Sequence, residues 1–230
     1  MNWNWNDFLF GVYPYIAGTI FLGVSLVRFD REQYLWRSES SQILRTGTLR
    51  WGSNLFHIGI IGLFFGHLFG LLTPLAVFEA LGLEPHDKQI IAMVTGGALG
   101  VLIFFGLVLL IWRRISDPRV AANTKPMDWV TLSWLLATLL LGLSTIIESA
   151  QHTDGVEMLA LMSWAKHIVT FQGVAAAGYI ANASWIFKLH IFFGLTLFLI
   201  FPFTRLVHIW SGFASVAYLL RPWQLVRSKR

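Results

Sequence analysis

The sequence predicts an all-α, polytopic membrane protein: a bundle of five transmembrane helices with its N-terminus outside and its C-terminus cytoplasmic. Three observations carry that expectation. Hydrophobic residues fill 56% of 230 positions, mean hydropathy is +0.63, and 13% of residues are charged, too few for a soluble domain. Five long apolar runs punctuate the chain, and its basic residues gather at alternate ends of them. No repeat, low-complexity segment or separate soluble part interrupts the pattern, so residues 1–230 read as one domain.

The first run covers 8–27. The residues before it, Met1 to Asp7, include no basic residue, and no small-residue cleavage site follows, so a cleaved signal peptide is not expected. The second, third and fourth runs cover 51–78, 89–112 and 129–147. About 20 residues are enough to cross at about 1.5 Å per residue. A fifth begins after Lys188 and meets Arg205; it reaches a full span, 189–210, if Arg205 snorkels or meets an anion. Residues 167–187 are also uncharged, but their Gln, Asn, Gly and Ala content inserts poorly, and a sixth crossing would export the basic tail. The stretch 148–187 is therefore read as an external loop that includes an interfacial helix. Trp3, Trp5, Trp51, Trp112, Trp129 and Trp185 lie near the ends of the runs, as an interfacial belt requires.

Orientation follows from charge. Arg28, Arg31, Arg37, Arg45 and Arg50 follow the first run; Arg113, Arg114, Arg119 and Lys125 follow the third; Arg205, Arg221, Arg227, Lys229 and Arg230 lie at or after the end of the fifth. Only Lys88, Lys166 and Lys188 fall on the other side. The basic side is expected to be cytoplasmic.

Within this apolar frame, His57 and His67 lie in the second run, and His190 and His208 lie in and just beyond the fifth. Neutral imidazole gains nothing from hydrocarbon unless something there binds it, and it is a common axial ligand of haem iron. The chain has no cysteine, which removes iron–sulfur clusters, c-type haem attachment and disulfides from what it does alone. The two runs point in opposite directions, so depth pairs His67 with His190 toward the outside and His57 with His208 toward the inside. Two six-coordinate haems stacked across the membrane are expected. The ladders disagree, however: ten residues of helix rise about 15 Å and eighteen about 27 Å. Tilt and a bend at Pro202 are expected to absorb the difference. Glycines 59, 62, 66 and 70 give the second run small faces for a flat macrocycle or for another helix. His86, His152 and His167 fall in external loops and read as solvated or interfacial.

Two axial imidazoles leave no position on iron for a substrate, so such haems pass electrons. A lipid-soluble quinol is the natural donor, and its oxidation needs a proton acceptor near a haem edge. Lys88 opens the third span on the external side, placed either to orient a quinol oxygen or simply to snorkel. Haem propionates call for arginine: Arg205 is three residues before His208, and Arg113 and Arg114 share its boundary, where topology alone also explains basic residues.

The strings Tyr13-Pro14-Tyr15-Ile16-Ala17-Gly18, Ser40-Ser41-Gln42, Ser53-Asn54-Leu55-Phe56-His57-Ile58-Gly59, Gly66-His67, Leu72-Thr73-Pro74, Phe201-Pro202-Phe203, Arg205-Leu206 and His208-Ile209-Trp210-Ser211 resemble the gamma subunit of membrane-bound respiratory nitrate reductase. Ser116-Asp117-Pro118-Arg119-Val120, Ala150-Gln151-His152 and Gln224-Leu225-Val226-Arg227 extend the likeness over nearly the whole chain.

The resemblance implies a b-type cytochrome of the inner membrane with two haem b groups. It assigns His57 and His208 to the proximal haem, His67 and His190 to the distal one, and a quinol site to Gly66, His67 and Lys88. Electrons from menaquinol or ubiquinol would pass to an iron–sulfur beta subunit and a molybdenum-containing alpha subunit that reduces nitrate to nitrite, in anaerobic respiration or nitrate assimilation. The basic inner loops would double as docking surface. Membrane lipid completes the expected surroundings, and no nucleic acid is expected. The stretch around 167–180 departs from the family pattern, which touches the quinol entrance more than the haems. Two alternatives stay open: the cytochrome b subunit of another quinone-linked oxidoreductase, and a membrane anchor without redox function.

Overall fold

The computed structural model describes residues 4–31, 44 and 46–210. Tail and loop arginines such as Arg37, Arg45, Arg221 and Arg227, and the strings at 40–42 and 224–227, lie outside the described residues. The described chain is helical: α1 Trp5–Arg31, α2 Thr46–Leu72, α3 Leu75–Ala80, α4 Pro85–Ser116, α5 Pro118–Ala122, α6 Pro126–Ser149, α7 Val156–Val169, α8 Gly173–Tyr179 and α9 Trp185–Ile200. Five of these helices, α1, α2, α4, α6 and α9 with its extension to Phe203, are long and apolar enough to cross a membrane.

Local chemistry sets the boundaries. Asn4 Oδ1 accepts from the Asp7 N–H at 2.8 Å and opens α1, which carries a π-helical turn at Phe8–Val12. Pro85 and Pro126 sit where a missing N–H costs nothing, at the starts of α4 and α6. Three residues on from each N-cap, Asp87 and Asp128 accept from the backbone N–H groups of Glu84 and Lys125. The second span is shorter than the 51–78 expected, because α2 stops at Leu72 before Pro74 and Leu75–Ala80 forms a helix of its own.

Close backbone approach joins α2 to α4. A Cβ on Gly59 would lie 2.5 Å from Ile103 Cγ1 and 2.9 Å from the Leu99 carbonyl oxygen, and one on Gly106 would lie 2.5 Å from the Phe56 nitrogen. These glycines let two helices touch where a larger residue would hold them apart. Helix α6 meets α9 through Trp134, whose ring stacks on Phe193 at 4.4 Å and donates to its carbonyl at 2.9 Å. Helix α1 meets α9 through Tyr13, stacked on Phe192 and hydrogen-bonded to Thr196 at 2.8 Å.

The stretch 148–187 is more ordered than an external loop. Helices α7 and α8 pack on each other and on the first turns of α1, burying Phe10, Trp164, Ala176, Ala177 and Ile180. Trp164 Nε1 donates to the Phe10 carbonyl at 2.9 Å, and Tyr15 donates to that of Ile168 at 3.1 Å. No sixth span forms among the described residues: 167–187 is divided between the end of α7, the short α8 and the start of α9.

The fifth span also differs from the 189–210 expected. Helix α9 ends at Ile200, followed by a 3₁₀ turn Phe201–Phe203, an extended Thr204 and a second 3₁₀ turn Arg205–Val207. Pro202 has no N–H to continue the helix, and Thr204 caps the new turn by accepting from the Leu206 N–H at 3.1 Å. The bend expected at Pro202 is thus a complete break.

Candidate functional site

The chain brings the four histidines together in two pairs. His57 on α2 faces His208 beyond α9, with ring centres 6.2 Å apart and planes at 69°. His67 on α2 faces His190 on α9, again with centres 6.2 Å apart, and planes at 44°. The disagreement between ten and eighteen residues of spacing disappears because the second ladder is not one helix: it is broken between Ile200 and Arg205.

Each ring is anchored through the same nitrogen. His57 Nδ1 lies 2.7 Å from the Ser53 carbonyl, His67 Nδ1 2.9 Å from that of Leu63, His190 Nδ1 3.1 Å from that of Thr138, and His208 Nδ1 2.6 Å from that of Arg205. A carbonyl only accepts, so Nδ1 carries the proton and Nε2 keeps its lone pair. This is the arrangement by which a protein orients a metal-ligating imidazole.

A haem iron fits between such rings. A ligating imidazole nitrogen lies about 2.0–2.1 Å from a first-row metal and the ring centre about 1 Å further back, which puts two facing rings about 6 Å apart. No group of three or more His, Cys, Asp or Glu side chains suitable for a metal ion occurs among the described residues. Two protein donors per site suit a metal whose remaining donors come from a macrocycle, as in haem.

The His67–His190 pair borders a cavity of about 300 Å3 between α2, α4, α6, α7 and α9, lined mainly by apolar side chains. That size and polarity suit a flat organic ligand. The glycines of α2 divide by role. Gly59 and Gly62 would drive a Cβ into Ile103 and Leu99, whereas Gly66 and Gly70 line the cavity and a Cβ there would meet nothing within 4 Å. On the opposite wall, a Cβ on Gly142 would lie 2.8 Å from His190 Cε1, so the ring rests on the backbone of α6.

Lys88 is 5% exposed and does not snorkel. Its ammonium donates to the Gly70 carbonyl, approaches Met162 Sδ at 2.7 Å and lies 4.4 Å from the centre of the Phe78 ring. It stands behind Gly70, about one turn from Gly66 and His67, and supports the cavity wall without lining it.

Three residues outside the sequence reading complete this end. Gln89, 2% exposed, donates to the carbonyls of Ser149 at 3.1 Å and His152 at 2.8 Å and accepts from the Gly155 N–H at 2.8 Å. It clamps the 149–155 turn onto α4. Gly155, with φ at +79°, starts α7 in the left-handed region, and a Cβ there would lie 2.6 Å from that of Pro85. Glu157 follows and lines the cavity. The available signal was a polar residue beside an apolar run, which does not distinguish a clamp from an interfacial side chain; Gly142, inside a Leu-rich run, carried no signal.

His86, His152 and His167 do not join either pair. His86 Nδ1 donates to the Thr153 carbonyl, the His152 carbonyl accepts from Gln89, and His167 lies against Tyr179 with ring centres 4.6 Å apart.

The expected propionate arginines have protein partners at the other end of the helices. Arg205 pairs with Asp128 at 2.7 Å and donates to the Asn123 carbonyl at 3.3 Å. Arg113, 2% exposed, donates to the Leu44 carbonyl at 2.6 Å, and Arg114 donates to Thr124 Oγ1 at 3.2 Å. Arg28 donates to the Pro202 carbonyl, tying α1 to the break after α9.

The model of the nitrate reductase gamma subunit family matches residues 6–229. The chain belongs to that family. It is 51% identical to the respiratory nitrate reductase 1 gamma chain of Escherichia coli over 97% of this chain and 98% of that one. It is 49% identical to the respiratory nitrate reductase 2 gamma chain of the same organism, over 98% of each. The nitrate reductase gamma chain of Bacillus subtilis is 33% identical over 96% of this chain and 97% of that one. The gamma-subunit family makes the chain a membrane subunit of a respiratory nitrate reductase, part of an oxidoreductase complex.

Proposed function

We propose that this subunit oxidises a quinol at the Gly155 end of the helices and passes the electrons through two haem b groups to the catalytic subunits at the Arg113 end. The observation that supports this most is the pair of facing imidazole couples, each ring held through Nδ1 to a backbone carbonyl and the ring centres of each couple 6.2 Å apart. His67 and His190 would hold the haem nearer the cavity, His57 and His208 the other. Each haem, when bound, would supply a reversible one-electron centre.

The protein's own residues do the rest. Carbonyls at 53, 63, 138 and 205 hold the ring tautomers, and Gly142 seats His190. Gly66 and His67 present a cavity wall open enough for a quinol ring, with Lys88 behind Gly70 adding positive charge near its oxygens. Arg113, Arg114 and Arg205 supply a basic rim for propionates at the other end, in addition to their protein partners. Charge placement supports that end as cytoplasmic, facing iron–sulfur and molybdenum subunits, and the Gly155 end as outside. Quinol oxidised outside then releases its protons there while electrons cross.

The test is quinol-driven haem reduction in the purified complex. Duroquinol is expected to reduce b-type haem and a redox-inert quinol analogue to block it. Haem that dithionite reduces and duroquinol does not would refute the quinol assignment.

A further inference from the structure

The cavity beside His67 and His190 contains a carboxylate that neither helix packing nor the histidine pair uses. Glu157 stands in the first turn of α7 and lines the cavity with Gly66, His67, Gly70 and His190. Its Oε2 is buried and has no hydrogen-bond partner. A buried polar oxygen left unpaired is costly, so such a group marks a place where a partner arrives.

Several neighbouring polar groups are already committed. The Thr95 and Thr138 hydroxyls donate to the carbonyls of Ile91 and Trp134. Both ends of the Gln89 amide are engaged with the 149–155 turn. Nε2 of His67 and of His190 is reserved for iron, and Lys88 offers only donors. Among the described lining residues Glu157 is the one carboxylate. Its placement is built: Gln89 and the left-handed Gly155 hold the turn from which α7 starts.

We propose that Glu157 is the base that accepts the proton of a quinol hydroxyl in this cavity, an assignment that rests on the quinol oxidation proposed above. The quinol O–H bond breaks, its proton goes to the Glu157 carboxylate to give the neutral acid, and an electron goes to the ferric haem that His67 and His190 would hold. The acid then releases its proton toward His152 and Asp154, both exposed in the turn preceding α7. Once Glu157 has released the first proton and the first electron has moved on, the second O–H gives its proton to Glu157 and its electron by the same route, leaving the quinone.

The surroundings suit a base that resets. Burial raises the Glu157 carboxyl above the ordinary carboxylate value, Glu148 at the end of α6 and Asp154 add to the rise, and His152 opposes it. His67 and His190 line the same cavity, and Lys88 contacts Met162 further along α7.

The experiment compares Glu157→Gln and Glu157→Asp with wild type in the assembled membrane complex. Duroquinol-driven haem reduction is followed against pH, beside haem content, the dithionite-reduced spectrum and affinity for a redox-inert quinol analogue. The Gln variant is expected to be slower by about 10²-fold. It should also lose the limb in which the wild-type rate rises with pH as Glu157 deprotonates. Haem content, spectrum and analogue affinity should stay at wild-type values, and Asp should recover part of the rate. A Gln variant within twofold of wild type, with the limb intact, overturns the assignment while leaving quinol oxidation standing. If the Gln variant does not assemble, the Asp variant decides: a displaced limb supports the base, and an unmoved limb with a normal rate overturns it. Wild-type complex that duroquinol cannot reduce removes both readings.

Discussion

The His190 imidazole rests on the backbone of α6 at Gly142, where a Cβ would come within 2.8 Å of Cε1. The same ring is tethered through Nδ1 to the Thr138 carbonyl one turn earlier on α6. One helix therefore sets both the position and the tautomer of an imidazole carried by another. Gly142→Ala is expected to push the ring off its seat, lowering haem at the His67–His190 site while the His57–His208 site stays filled. Haem per complex and the two resolved reduction midpoints check this.

Gly59 and Gly66 should behave oppositely, although both are glycines of α2. Gly59→Ala forces a methyl against Ile103 and the Leu99 carbonyl and is expected to destabilise α2–α4 packing by about 1–3 kcal/mol. Gly66→Ala meets open space and should leave thermal stability unchanged while raising the KM for duroquinol. Thermal midpoints of the purified complex and steady-state kinetics separate the two.

Gln89→Leu leaves the Ser149 and His152 carbonyls and the Gly155 N–H without their side-chain partners. The expected cost is about 1–3 kcal/mol, together with slower quinol oxidation because the turn leading to Glu157 is released. Haem content should not change, which distinguishes this variant from a ligand mutant.

Lys88→Ala removes the contacts to Gly70 and Met162 and the charge over Phe78. Weaker binding of a quinol analogue is expected, with both haems retained. Unchanged analogue affinity would remove Lys88 from the site.

Most of the helical frame was legible because a membrane imposes coarse, one-dimensional rules. Uncharged runs located all five candidate spans, and four imidazoles in apolar sequence stood out against them. Pro202 marked the discontinuity after α9, although a break that ends the helix, with Thr204 capping a new turn, depends on a local choice that a span count cannot foresee. Residues 148–187 read as a loop because 167–187 is rich in Gln, Asn, Gly and Ala, and α7 and α8 are too short to span; what orders them is contact with the distant first turns of α1, as between Trp164 and Phe10. Gln89, Gly142 and Glu157 escaped for the same reason, since each acquires its role from a residue on another helix. Arg205 was singled out correctly as unusual within its run, yet the nearby anion in the structure is Asp128, which also caps α6.

The most direct test of the two-site account is haem stoichiometry in the purified complex carrying His57→Ala, His67→Ala, His190→Ala or His208→Ala. Two b-type haems per gamma chain are expected in wild type and one in each variant. His67 and His190 variants should share one residual spectrum, and His57 and His208 variants the other. A wild-type chain without b-type haem, or residual spectra that pair the histidines differently, would contradict it.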